Sequence, residues 1–477
     1  MPEPSPAGPV IRTGRVGPTW RAALIQGMPI DAAAIRPRST RQAGEPAGTA
    51  SSSGPPEPSA TPLVPGSPIA KALAAVWSGA PVTIVNAPPG SGKTAGVVSL
   101  VAQLSEHAGL RVLVQVVTRN QGVALAHRLV EQVAPRHVEV AIKNVEPGSL
   151  PTGLYSGARS AKVEPSRVSV KTVASCAMRP PTDFDVIVVD EAYQATYADI
   201  ALGASNAPQI VCVGDPGQIG PVVTIDTSIF QHMTDAPHRP APEVLAGLGD
   251  ARCFSLDKTF RLGPASAAVI APLYGFPFVS AGVPRRLVGA GEANRGRPYG
   301  EIEAIELPAA ASPDDLSVLR AVVDRVCELV HTRLYWPDPA GGEGSEATRR
   351  ASESDVAVVL ARNSQVSIAK GLLVERDLPE VIVSTADHIQ GAERPIIVAL
   401  DPLVGAGRTN DHALSNGRLC VMVSRHTTHL SWFHDAAWRK ALAGRSITAV
   451  RGRSVREALV GHQAACATAQ RTPSHVA

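Results

Sequence analysis

The segment VTIVN-APPGSGKT sets two glycines, a lysine and a hydroxyl at fixed offsets between an apolar run and a helical stretch. Gly90 and Gly92 lack a Cβ, so the loop Pro89-Gly90-Ser91-Gly92-Lys93-Thr94-Ala95 has room to wrap phosphate oxygens with the backbone N–H groups that follow Pro89. The helix that follows points its positive end at the same anion. In this pattern Lys93 reaches the outer phosphates and the Thr94 hydroxyl ligates Mg²⁺. An ordinary glycine-rich strand-to-helix turn is the competing explanation, and it leaves Lys93 and Thr94 without a purpose.

A second constellation lies in FDVIVVDEAYQ, an apolar run ending in two acids. At the carboxyl end of a parallel strand, Asp190 is expected to hold the Mg²⁺ through water. Glu191 is then expected to polarise the attacking water as general base. Acids at a strand end also cap the next helix, and the pair alone leaves that alternative open. A phosphate loop about a hundred residues upstream favours the catalytic reading.

Both motifs need a parallel sheet to position them. VTIVN, RVLVQVV, VSVKTVA, FDVIVVD and QIVCVGD are β-branched runs separated by helical stretches. Such runs read as strands buried on both faces. A second alternation follows, with EIEAIEL, SDVAVVLAR, EVIVSTA, RPIIVAL and RLCVMVS as strands around the helix DDLSVLRAVVDRVCELVHTRL. The expected fold class is α/β, with two tandem RecA-like P-loop domains at 66–250 and 251–460. A disordered Pro/Gly/Ser/Ala-rich arm over 1–65 precedes them. Stretches near 280–299 and 336–352 read as loop insertions, the end of the chain as a last strand and helix, and 461–477 as frayed.

The chain has 477 residues, 44% hydrophobic and 18% charged, with a net charge of +3. That excludes wholesale disorder and polybasic architecture, so any nucleic acid must be met by a local patch. Arg285, Arg286, Arg295 and Arg297, and the Arg439–Arg456 region, are the candidates. No run of 18 apolar residues and no charged-then-apolar leader is seen, which leads to the expectation of a cytoplasmic protein that meets no membrane. The six scattered cysteines include no CxxC pair; Cys212 and Cys420 read as small core residues in buried strands.

Taken in order, the motifs resemble those of superfamily 1 helicases. APPGSGKT is followed by VTRNQGVALAHRL, VKTVAS, DEAYQ, VGDPGQIGPV, LDKTFRLGPA, VSTADHIQGAERPIIV and VSRHTTHL. The resemblance runs from about 68 to 435. DEAYQ and GDPGQ are close to the DEAxQ group, and VSRHTTHL to the compact helicases of positive-strand RNA viruses. It implies that Gln218 senses the γ-phosphate, that Phe260 stacks on the base, and that Arg261 and Arg425 reach the transferring phosphoryl group as arginine fingers. It gives Gly391 and Glu393 to the nucleotide and its ribose. It gives Thr118, Arg119, Asn120, Thr172, Thr385 and His388, with Ser384, to the nucleic-acid backbone. Read alone, each arginine is more often a salt-bridge residue.

Two departures matter. Phe260 stands where the family usually has Tyr. No glutamine lies between Pro62 and Val85 to read the adenine edge. The implied activity is hydrolysis of ATP with Mg²⁺, coupled to movement on single-stranded DNA or RNA by a monomer whose arm recruits an unknown protein. ATP is expected between two α/β domains. The alternatives are a P-loop ATPase that remodels protein or nucleic-acid complexes without strand separation, and a nucleotide-gated binding module.

Overall fold

The computed structural model describes residues 60–469 apart from 147, 157–166, 181–182, 204–206, 231, 341, 343, 407–409 and 445. The arm expected over 1–65 therefore lies almost wholly outside the described residues, as does the end of the chain from 470. The chain divides into two units. One contains the residues up to Val85, Thr94–Val213 and Val223–Phe254; the other contains Asn86–Lys93, Gly214–Val222 and everything from Ser255.

The first unit is built on an eight-stranded sheet. Its strands are β1 (Val82–Asn86), β2 (Val112–Val116), β3 (Val138–Val140), β4 (Tyr155–Ser156), β5 (Val168–Thr172), β6 (Val186–Asp190), β7 (Gln209–Gly214) and β8 (Ala251–Ser255). Their order is β4-β3-β5-β2-β6-β7-β1-β8. The pairs β2/β5, β2/β6, β3/β5 and β6/β7 are parallel. Every residue of β2, β6 and β7 is buried, as near-continuous Val/Ile runs require when both faces are covered. The five expected strands are contiguous, in the order β5-β2-β6-β7-β1. The strands β3 and β4, at one end of the sheet, are too short to announce themselves in composition.

The second unit holds β9 (Lys258–Thr259), β10 (Val279–Ser280), β11 (Arg286–Gly289), β12 (Pro298–Tyr299), β13 (Ile302–Glu306), β14 (Thr332–Pro337), β15 (Glu346–Arg350), β16 (Val356–Leu360), β17 (Ile382–Thr385), β18 (Arg394–Leu400) and β19 (His426–His434). Five make a parallel sheet in the order β13-β19-β18-β16-β17. Helix Leu316–Leu329 packs Val318, Leu319, Val322, Val323 and Val326 into its core.

Three expectations are corrected. RLCVMV is not a strand: Asn416–Val423 is a helix, capped by Ser415 whose hydroxyl accepts from Arg418 N at 3.3 Å. The segment is buried on all sides, so it shows neither helical nor strand period; the strand is the next run, HTTHLSWFH. The stretches near 280–299 and 336–352 carry ordered strands, β10 to β12 and β14 to β15. Of these, β12-β11-β14-β15 form an antiparallel sheet. Their Arg, Pro and Gly content hid them, because a two- to six-residue strand with one face in water needs few apolar residues. Finally, among the described residues the run from Ser446 expected as a last strand instead leads straight into the last helix, Ile447–Ala469.

That helix is moored by a buried ion pair. Arg456 donates to both carboxylate oxygens of Asp401 at 2.6 and 2.8 Å, and both residues are about 2% exposed. Among the described residues no helix is long and apolar enough to cross a membrane.

Candidate nucleotide site

The phosphate loop leaves β1 and enters helix Lys93–Ala102. Gly90 and Gly92 have φ of +70° and +80°, the left-handed region that glycine takes without steric cost. Gly90 has a second reason to be glycine, since a Cβ there would collide with the Cβ of Arg261. The TFR segment holds the loop from that side. Thr259 Oγ1 donates to Pro89 O at 2.7 Å and Phe260 N donates to Gly90 O at 2.8 Å. The Phe260 ring is 54% exposed beside the loop, open to a flat partner. Ser91 is buried, and among the described residues its hydroxyl has no hydrogen-bond partner, an orphan of the kind a bound anion satisfies.

A polar chain runs from the loop to Arg425. Lys93 Nζ lies 4.0 Å from Asp215 Oδ2. Asp215, 2% exposed, accepts from Tyr274 Oη at 2.9 Å, Gly217 N at 2.9 Å and Gln218 Nε2 at 2.5 Å. Gln218 in turn accepts from Arg425 Nη2 at 2.7 Å. Arg425 is itself 2% exposed. The turn packs tightly: a Cβ on Gly217 would strike the Tyr274 ring, and one on Gly417 would meet the Gln218 backbone. Burial raises the Tyr274 phenol well above its usual range, helped by the Asp215 charge, so the phenol keeps its proton and donates. Burial also pushes the Cys420 thiol, 3.2 Å from Tyr274 Oη, up to about 12.

Arg261 is held differently. Its guanidinium pairs with Glu393 and donates from Nη1 to Ser424 O at 3.2 Å. Gly391, two residues before Glu393, has φ of +91°. Thus Lys93, Gln218, Arg261, Glu393 and Arg425 all belong to contacts within one unit.

The acids of DEAYQ lie in the other unit, at the carboxyl end of β6. Asp190 is 6% exposed and accepts the N–H of Glu191 at 3.0 Å. Glu191 has φ of +54°, left-handed for a residue with a side chain, which costs roughly 1–3 kcal/mol. Its side chain makes no cap bond to the short turn Ala192–Gln194, so capping does not explain it. No cluster of three or more His, Cys, Asp or Glu suited to a metal occurs among the described residues. The hard-oxygen donors Asp190 and Thr94 fit Mg²⁺, which binds through one or two protein oxygens together with phosphates and water.

The residues proposed for nucleic acid fall in two places. Val116 and Thr172 are partners across β2 and β5, so Thr118, Arg119, Asn120 and Thr172 emerge at neighbouring strand ends. The hydroxyls of Thr118 and Thr172 accept from Gln121 N and Ser175 N as helix caps, at 3.3 and 3.2 Å, while Arg119 and Asn120 are exposed. In the other unit Thr385 is buried with its hydroxyl 2.8 Å from His388 Nδ1, and His388 is exposed. Arg286 and Arg297, read as free basic surface, are paired with Glu346 and Glu328. Sequence reasoning passed over Asp215, Thr259 and Tyr274. Asp215 stood inside a quoted motif, whereas Tyr274 carried no local signal and is placed by a contact 59 residues away in sequence.

The sequence pattern of the AAA domain family matches residues 70–244. No match was found among curated proteins. Among solved structures the chain is similar to Arterivirus nonstructural protein 10 (helicase), at 17% identity over 78% of this chain and 62% of that one, with a TM-score of 0.40. A complex of Arterivirus nonstructural protein 10 (helicase) with DNA gives 16%, 77%, 62% and 0.39. The PRRSV helicase gives 14%, 77%, 54% and 0.37. The chain spans less than two thirds of the length of these proteins. The AAA domain match covers the stretch of this chain that carries APPGSGKT, DEAYQ and VGDPGQ.

Proposed function

We propose that the protein hydrolyses ATP with Mg²⁺ and couples the reaction to movement along single-stranded DNA or RNA. The observation that carries this reading is the continuous chain Lys93–Asp215–Gln218–Arg425. It ties the residue expected on the outer phosphates to a buried guanidinium through a glutamine able to feel the γ-phosphate. Loss of that phosphate on hydrolysis changes what the lysine and both arginines hold, which is the differential contact a motor needs. When bound, Mg²⁺ supplies charge neutralisation at the β and γ oxygens; Thr94 and Asp190 are the residues to hold it. Glu191 serves as base, its strained backbone orienting the carboxylate. Arg261 and Arg425 stabilise developing charge on the phosphoryl oxygens. Thr118, Arg119, Asn120, Thr172, Thr385 and His388 meet the polymer backbone.

The test is steady-state ATP hydrolysis with and without single-stranded DNA and RNA, alongside strand displacement on tailed duplexes. Strong stimulation by either polymer is expected, and a Glu191→Gln variant is expected to bind ATP without turning it over. Equal rates with and without both polymers would sink the reading. Stimulation without displacement would favour a translocating or complex-remodelling ATPase.

A further inference from the structure

The antiparallel sheet β12-β11-β14-β15 has one face on a core; on the other, Arg286, Glu346, Thr348 and Arg350 are exposed and Val288, Arg333 and Tyr335 half-buried. Leu287, Leu334 and Trp336 turn inward. Strand alternation puts Arg286, Val288, Arg333, Tyr335, Thr348 and Arg350 on the opposite face. The register sets Arg333 directly opposite Arg350, and Arg286 opposite Tyr335. Like charges facing each other across a ladder weaken it.

Neighbouring arginines are neutralised. Arg349 grips both oxygens of Asp355 at 2.5 and 2.6 Å, Arg286 holds Glu346, and Arg297 holds Glu328 at 2.9 Å. Among the described residues Arg333 and Arg350 are paired with no acid. Arg350 is exposed on an edge strand of which four residues in five are exposed. The Arg286 guanidinium lies 4.1 Å over the Tyr335 ring, one row along the same face. At the head of β11, Arg285 donates to Thr427 O at 3.3 Å, two residues beyond Arg425.

We propose that this face binds the phosphodiester backbone of single-stranded nucleic acid, with Arg333 and Arg350 taking phosphate oxygens. The inference rests on the proposed function and adds a place where the polymer is held. An anion between the two guanidiniums converts their repulsion into attraction, and the planar fork suits phosphate. The Arg286–Tyr335 stack beside them offers a flat surface for a base, which an acidic peptide would not use.

Fluorescence anisotropy with labelled single-stranded DNA and RNA over a salt series tests it. A double variant Arg333→Ala/Arg350→Ala, its fold checked by circular dichroism, is expected to bind about tenfold more weakly at low salt. Its slope of log affinity against log salt is expected to fall by about 1.4, two phosphates at about 0.7 each. Arg333→Lys/Arg350→Lys is expected to keep most of the slope. Wild-type binding with an unchanged alanine variant overturns this surface and leaves the ATPase reading standing. No binding by wild type overturns both. Loss of binding only to a labelled polyglutamate peptide assigns the face to an acidic protein and overturns the proposal.

Discussion

Arg425 donates from Nη2 to Oε1 of Gln218 at 2.7 Å, and Gln218 passes a hydrogen bond on to Asp215. An arginine that is 98% buried and anchored to a glutamine has its fork fixed before any ligand arrives. Preorganised charge of this kind is worth more than a mobile one, because no reorganisation is spent at the moment of reaction.

Replacing Arg425 by Ala should therefore lower kcat for ATP hydrolysis by about 10²–10³. Arg425→Lys should recover little, since one ammonium cannot reproduce the planar fork. Initial-rate assays at saturating ATP check this. Full rescue by lysine would show that only charge matters.

Tyr274→Phe removes one donor from the buried Asp215 carboxylate and leaves the packing against Gly217 in place. Stability should fall by about 1–3 kcal/mol, read as a lower urea midpoint with an unchanged slope. The buried thiol of Cys420 offers no replacement, being a weak donor. An unchanged midpoint would mean that water takes the phenol's place.

Gly90→Ala should abolish tight nucleotide binding, because the added methyl meets Arg261 and the backbone is left-handed. Gly92→Ala meets nothing within 4 Å and pays only for its backbone conformation, about 1–2 kcal/mol. Titration with a fluorescent ATP analogue should rank the two in that order; the reverse ranking would refute the steric account.

Acid should destabilise the fold through two histidines of β19. Burial, with Arg261 nearby, pushes His426 down to about 3, and burial, with Arg325 nearby, does the same to His429. His429 Nδ1 donates to Gly300 O at 2.7 Å, and Nε2 lies 2.8 Å from the Ser431 hydroxyl. That hydroxyl already accepts from Arg325 Nε at 2.9 Å, which fixes it as donor to the ring. Between about pH 6.5 and 3 the unfolded chain takes up protons that the folded chain refuses. Stability is full above that window and falls on acidification by up to about 1.4 kcal/mol per pH unit for each ring. Urea midpoints at neutral and mildly acid pH measure it, and His429→Gln should flatten the dependence. Equal midpoints in both buffers would remove the effect.

The parts of the site visible in the sequence are those whose chemistry is local. A phosphate loop needs its glycines, lysine and hydroxyl within eight residues, so Gly90, Gly92, Lys93 and Thr94 declare themselves. The Val/Ile runs of β2, β6 and β7 were equally plain, because strands covered on both faces have no polar alternation to confuse. Tyr274 and Asp215 meet only after folding, and no spacing rule links a phenol to a carboxylate 59 residues earlier. RLCVMV failed for a related reason: a short segment buried on every side has no period, so helix and strand look alike. Thr118 and Thr172 show a third limit, for a threonine that opens a helix spends its hydroxyl on the backbone whatever else its neighbours do.

The tether between Arg456 and Asp401 bears on how the polypeptide can be shortened. Trimming the tail ahead of Arg456 would strand an anion in an interior that cannot hydrate it, a penalty of about 3–5 kcal/mol, and would strip Val455 and Leu459 from their hydrophobic neighbours. The last helix is thus a keystone of the second unit, and any minimal version of this protein must reach past it.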